Sequence, residues 1–193
     1  MLDTYHKTMT TISNLPTIKG FTWRGIEPTD GPLLQKFEED CSLVDGATKL
    51  QSLDEWGALV KEKEINTRSI VAINAHNEIA LTGWYQVDER VESVLAFLEG
   101  RVHPDFRGNQ YGTALLDWLE ENAGVAMKAV AGERDCTYRI MFYDRARDAP
   151  ALFEKKGYML QYIEQEMERD LKEPEPAFNP QNLSFNPWTE DNK

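Results

Sequence analysis

The chain has 193 residues, a length that suits one domain with tails and a core of its own. Its formal charge of −12 repels nucleic-acid phosphates and anionic headgroups, so neither nucleic acid nor a membrane is an expected partner. No apolar run approaches the roughly 20 residues of a membrane span, the first residues lack the apolar stretch of a signal peptide, and two scattered cysteines, Cys41 and Cys136, suit free thiols of a cytoplasmic protein better than a disulfide framework.

Residues 1–18 are polar and aperiodic and are expected to form a flexible leader. Alternation through Phe21-Thr22-Trp23-Arg24-Gly25-Ile26 predicts a first strand. Thr29, Asp30 and Pro32 mark the start of a helix that carries Leu33, Leu34, Phe37 and Cys41 at helical spacing, with a loop over 42–50. Ser52 and Glu55 form a capping-box pattern ahead of a helix over 55–64. Residues 68–73 and 78–86 read as a hairpin about His76-Asn77, and 91–102 as a long strand.

A turn at 103–108 leads into a helix from Tyr111 to Ala123 or beyond, with Leu115, Leu116 and Leu119 on one side. Residues 138–143 predict a strand, 149–156 a short helix stopped by Gly157, and 158–163 a last strand. Four prolines, Pro174, Pro176, Pro180 and Pro187, make 172–193 a Pro/Asn-rich tail or linker. The element order implies an α/β (α+β) domain over 19–171, with a mixed, mostly antiparallel sheet flanked by helices.

The segment Arg101 to Ala123 carries the chemistry. A strand ends at Val102, and a tight turn delivers Arg107 and Gly108 to a helix start, where amides without internal partners sit at the positive end of the dipole. Such a terminus binds phosphate. Gly108 and Gly112 clear side chains from its path, while Arg107 and Thr113 offer further donors. Taken alone, Arg-Gly is an ordinary turn; the flanking strand and amphipathic helix make a phosphate cradle the stronger reading.

Val102-His103-Pro104, Arg107-Gly108-Asn109-Gln110-Tyr111-Gly112 and the helix that follows resemble the acyl-CoA-binding motif of the GCN5-related N-acetyltransferase (GNAT) superfamily. Leu152-Phe153-Glu154-Lys155-Lys156-Gly157-Tyr158 is similar to a second signature of that family. The resemblance implies a splayed strand pair forming the acyl-CoA site, with acetyl-CoA or another acyl-CoA as co-substrate. It implies main-chain contacts from Gly100, Arg101 and Val102 to the pantetheine arm, and a diphosphate cradle from Arg107, Gly108, Asn109, Gln110, Tyr111, Gly112 and Thr113. The implied activity is transfer of acetyl to a small-molecule or peptide amine by direct attack on the thioester. Dimers are frequent in the family, so a homodimer is an expectation.

Two positions depart from the family pattern. Gln110 replaces the middle glycine of the loop, and Phe153 stands where many members have the tyrosine that protonates the departing thiolate. Tyr143 or Tyr111 could supply a hydroxyl instead; packing is the plainer role for each. Glu99, on the face of the strand it shares with Arg101, is the candidate general base, with an ordinary ion pair to Arg101 as the alternative; Glu92 and Asp144 are weaker candidates. Trp84 and Tyr85 are candidates for lining an acceptor pocket. His6, His76 and His103 have no metal-ligand spacing. Three readings stay open on these residues: an acyltransferase, a non-catalytic acyl-CoA-binding or scaffold domain that is one half of a tandem pair, and a binder of another nucleotide diphosphate.

Overall fold

The computed structural model describes residues 14–47, 50–61, 65–165, 167, 170 and 172. The expected leader and tail lie almost entirely outside them. The chain divides into two units, Met1–Met159 and Leu160–Lys193.

The first unit is built on β1 (Thr22–Arg24), α1 (Gly31–Asp45), α2 (Leu53–Leu59), β2 (Ser69–Ile73), β3 (Ile79–Glu89), β4 (Ser93–Val102), α3 (Tyr111–Ala131), β5 (Asp135–Ile140) and α4 (Ala149–Lys155). The five strands lie in sequence order. All neighbours are antiparallel except β4 and β5, which are parallel and joined by the crossover helix α3.

Alternation, broken by a register shift between Ala72 and Ile73 where Ile79 meets Ile73, sends the two faces of the sheet to two cores. Ile70, Ala72 and Leu81 pack with Leu115, Leu116, Trp118 and Leu119 of α3. Val71, Ile73 and Ile79 pack with Leu34, Phe37 and Cys41 of α1 and Trp56 of α2. β2 is therefore buried on both faces, which explains its unbroken apolar run.

Several boundaries differ from the sequence-based expectation. α1 runs through the stretch expected as a loop and stops at Gly46, whose φ of 75° caps it. Asp30 sits at its N-cap without a side-chain capping bond. Its carboxylate instead accepts from Arg24 at 2.6 and 2.7 Å and from the Glu27 amide at 2.7 Å. The capping box at Ser52 and Glu55 is present, but α2 ends at Leu59, and residues 62–64 lie outside the described set. β5 begins three residues earlier than expected and ends at Ile140, and α3 extends to Ala131. The strand expected at 158–163 is not formed: residues 158–165 carry neither helix nor strand, and Met159, Leu160 and Ile163 are exposed. β-compatible composition makes no strand without a partner for its ladder, and β5 ends the sheet.

Candidate functional site

The site starts from a mismatch in strand length. β4 and β5 pair from Ser93↔Asp135 to Leu98↔Ile140. β4 then continues to Val102, paired with β3 alone. The His103 amide donates to the Ala80 carbonyl, and alternation along the strand turns the N–H and C=O of Gly100 and Val102 towards the β5 side. Among the described residues, no strand meets them past Ile140. One of these groups is taken: the Val102 carbonyl accepts from Arg107 Nε at 3.0 Å and from Cys41 Sγ at 4.0 Å. The Gly100 groups and the Val102 amide remain an open edge.

Gly100 also lets α3 close on the sheet here. A Cβ at this position would lie 2.9 Å from Leu115 Cδ2, and one at its cross-strand partner Gly83 would lie 2.8 Å from the Glu99 carbonyl oxygen. The glycine reflects close packing of the helix, and neither a bulge nor a register shift occurs in this pairing.

The strand leads into a short 3-10 turn at Pro104–Phe106, capped by His103, whose Nδ1 accepts from the Asp105 amide. Asn109 closes the next turn by donating to the carbonyls of Phe106 and Arg107. Gly108 and Gln110 both adopt left-handed backbone, at φ 77° and 63°, and Gln110 is the N-cap of α3. The amides of Tyr111, Gly112 and Thr113 are the first of the helix and lack intrahelical acceptors. Tyr111 packs its ring on Phe21 at 5.5 Å. Arg107 is not directed to this terminus. Its guanidinium donates to both Asp45 oxygens at 2.7 and 2.8 Å and ties the end of α1 to the end of β4.

On the α1–α2 face, Glu99, Gly100 and Arg101 form the floor of a narrow cleft walled by Phe37, Glu38, Trp56 and Trp84. Glu38 is held in place: its Oε2 accepts from Trp56 Nε1 at 3.0 Å and from the Gln51 amide at 3.1 Å. Its Oε1 lies 3.9 Å from Arg101 Nη1, which is buried and makes no hydrogen bond. Arg101 lies over the Tyr143 ring at 5.1 Å from its centre, so its side chain reaches past the end of β5. Glu99 keeps water on part of its surface, yet the crowding around it pushes its pKa above the usual carboxylate value. Arg101 acts against that rise and Glu38 adds to it. Burial pushes the Cys41 thiol up to about 12, so the thiol beside Val102 stays protonated and is a poor nucleophile.

Glu38 and Trp56 are absent from the expectations drawn from sequence. Glu38 could have been found: it follows Leu34 by four residues and so stands on the apolar stripe of α1. Trp84 lines the cleft, whereas Tyr85 points to the other face and meets Trp118.

No family model matches the sequence, and no curated protein matches it. Solved structures do. A GCN5-related N-acetyltransferase from Sphaerobacter thermophilus superposes with a TM-score of 0.64 at 25% identity, over 76% of this chain and 45% of that one. A GNAT-family acetyltransferase from Streptococcus pneumoniae gives 0.53 at 19% identity, over 76% and 93%. An aminoglycoside acetyltransferase from an uncultured soil sample gives 0.52 at 12%, over 78% and 99%. The chain shares the fold of these GNAT structures. Its structural neighbours are acetyltransferases, and this chain spans less than half of the Sphaerobacter protein.

The two GNAT-like signatures meet in space, since a Cβ on Gly112 would touch Leu152 of α4 at 3.5 Å. Phe153 is packed between Phe142 and Tyr158, with ring centres at 5.3 and 5.8 Å. Tyr158 donates to Glu120 Oε1, and burial with that carboxylate raises its pKa, so it is no ready proton donor. Tyr143 lies just past the end of β5, with its ring under the Arg101 guanidinium. Glu92 and Asp144 are exposed and do not line the cleft. Among the described residues no cluster of His, Cys, Asp and Glu could hold a metal, and no helix is long and apolar enough to cross a membrane.

Proposed function

We propose that the chain is an acyl-CoA-dependent N-acyltransferase that moves acetyl from acetyl-CoA to an amine. The supporting observation is the end of β4 beyond Leu98, paired with β3 alone, where among the described residues the Gly100 groups and the Val102 amide face no strand, followed at once by a glycine-bearing loop and a helix start. An extended pantetheine arm fits that edge as an added strand. The amides of Asn109 to Thr113 fit a diphosphate, and Gly108 leaves its approach open, with nothing within 4 Å of where a Cβ would stand.

Acetyl-CoA, when bound, supplies an acyl group already activated as a thioester. The residues of the chain do the rest. Glu99 accepts the proton that an ammonium acceptor must lose, a role favoured by its raised pKa. A backbone amide at the open edge donates to the developing oxyanion. Tyr143, beside Arg101, is the hydroxyl that returns a proton to the sulfur in this reading, and a thiol of pKa about 8.5 leaves without a strong acid. Cys41 is buried and its thiol is held protonated, which favours direct attack by the amine over an acyl-cysteine route.

The test is thiol release from acetyl-CoA across an amine panel. Turnover that falls at least tenfold in Glu99→Gln, with CoA binding retained, is the expected result. The packed Phe153 favours a second reading, a domain that binds acyl-CoA without turning it over. CoA binding with no thiol release for any amine would establish that reading in its place.

A further inference from the structure

We infer that the cleft over Glu99 and Arg101 selects an unbranched primary alkylammonium, with no carboxylate on the carbon that bears the nitrogen. This rests on the acyltransferase reading above and names its acceptor class. Three features of the cleft carry it.

The first is charge. Glu38 and Glu99 face one guanidinium, Arg101, which leaves one net negative charge. A single ammonium balances it.

The second is the fixed position of Glu38. The unbonded Nη1 of Arg101 would draw the carboxylate of an α-amino acid, but Glu38 Oε1 stands 3.9 Å from that nitrogen. Trp56 and the Gln51 amide hold Glu38 from the other side, so it cannot withdraw. A second carboxylate would meet like charge in a site of low dielectric.

The third is size. The cavity holds about 10 Å³, which is roughly the room one water needs. The ammonium head alone fits that room, and its first carbon then stands in the mouth between Phe37, Trp56 and Trp84, where an unsubstituted methylene fits best. Trp84 and Trp56 stand edge to face at 6.0 Å beside it, and an aromatic wall suits both a methylene chain and a cation.

Two readouts on the full chain test this. In the thiol-release assay, 1,5-diaminopentane and the amide of Nα-acetyl-lysine should exceed 2-aminohexane and norleucine at least tenfold in kcat/KM. Glu38→Gln keeps an acceptor for Trp56 Nε1; it should raise KM for diaminopentane about tenfold with a smaller change in kcat, and narrow the gap to norleucine. Independently of turnover, the indole N–H resonances of Trp56 and Trp84 should shift saturably with 1,5-diaminopentane and not with norleucine. Trp84→Leu should weaken that binding and leave the fold unchanged. Equal or better turnover of norleucine, unaltered selectivity in Glu38→Gln, or indole resonances that ignore the diamine would each overturn the inference. A domain that binds CoA, shifts its indoles with the diamine and releases no thiol would overturn only the acyltransferase reading.

Discussion

Gln110 occupies left-handed backbone at φ 63°, where an L-residue carries a steric cost of about 1–2 kcal/mol. Glycine would relieve it but return about 0.5–1 kcal/mol through its freer unfolded chain. Gln110→Gly is therefore expected to leave the fold unchanged or raise its stability by up to about 1.5 kcal/mol, measured by urea unfolding, and not to weaken CoA binding. Arg107 gives the opposite case. The family resemblance marks it as a phosphate contact, yet both its terminal nitrogens are held by the buried Asp45. Asp45→Ala strands a partly buried guanidinium and should cost about 2 kcal/mol in the same measurement, below the value for a fully buried pair because Arg107 keeps some contact with water. Glu99 sets a pH dependence. Its raised pKa places the loss of its base form above the ordinary carboxylate range, so acylation should fall as pH drops through that raised value, and Glu99→Gln should flatten the limb. For stability the sign is reversed: the folded chain holds this proton more tightly than the unfolded one, so the Glu99 contribution declines as pH rises between the ordinary and the raised value.

Elements explain which parts were legible in advance. The motif strand, loop and helix were readable because their signals are local: Val102 ends a largely apolar strand, Gly108 and Gly112 punctuate, and Leu115, Leu116 and Leu119 mark a buried helix face. The end of α1 was not, because Leu43 and Val44 are exposed apolar residues that break the helical stripe. Nor was the absent strand at 158–163, since pairing is decided by a partner that local composition does not name. Arg107 was misleading for a related reason, its acceptor lying 62 residues away. The open edge itself depends on the relative lengths of β4 and β5, which only the register reveals. At this scale the tightest constraint is the seat of α3 on the glycine pair. Gly100→Ala drives a methyl into Leu115 and Leu119 and should destabilise the fold by about 1–3 kcal/mol, read by thermal or chemical unfolding.

For the molecule as a whole, the sheet divides the labour between its faces. α3 seals one side with apolar contacts and presents its N-terminus to the loop. The α1–α2 side holds the polar cleft of Glu38, Glu99 and Arg101. The two meet at residues 99–101, where β4 outruns β5, so a cofactor on the edge and an acceptor in the cleft would share one strand. The most direct test is a ¹H–¹⁵N titration of the whole chain with CoA. Saturable shifts of the Gly100 and Val102 amides together with those of Asn109 to Thr113 are expected, at one ligand per chain. Shifts confined to other parts of the molecule, or none at millimolar CoA, would contradict the assignment of this edge and loop as the acyl-CoA site.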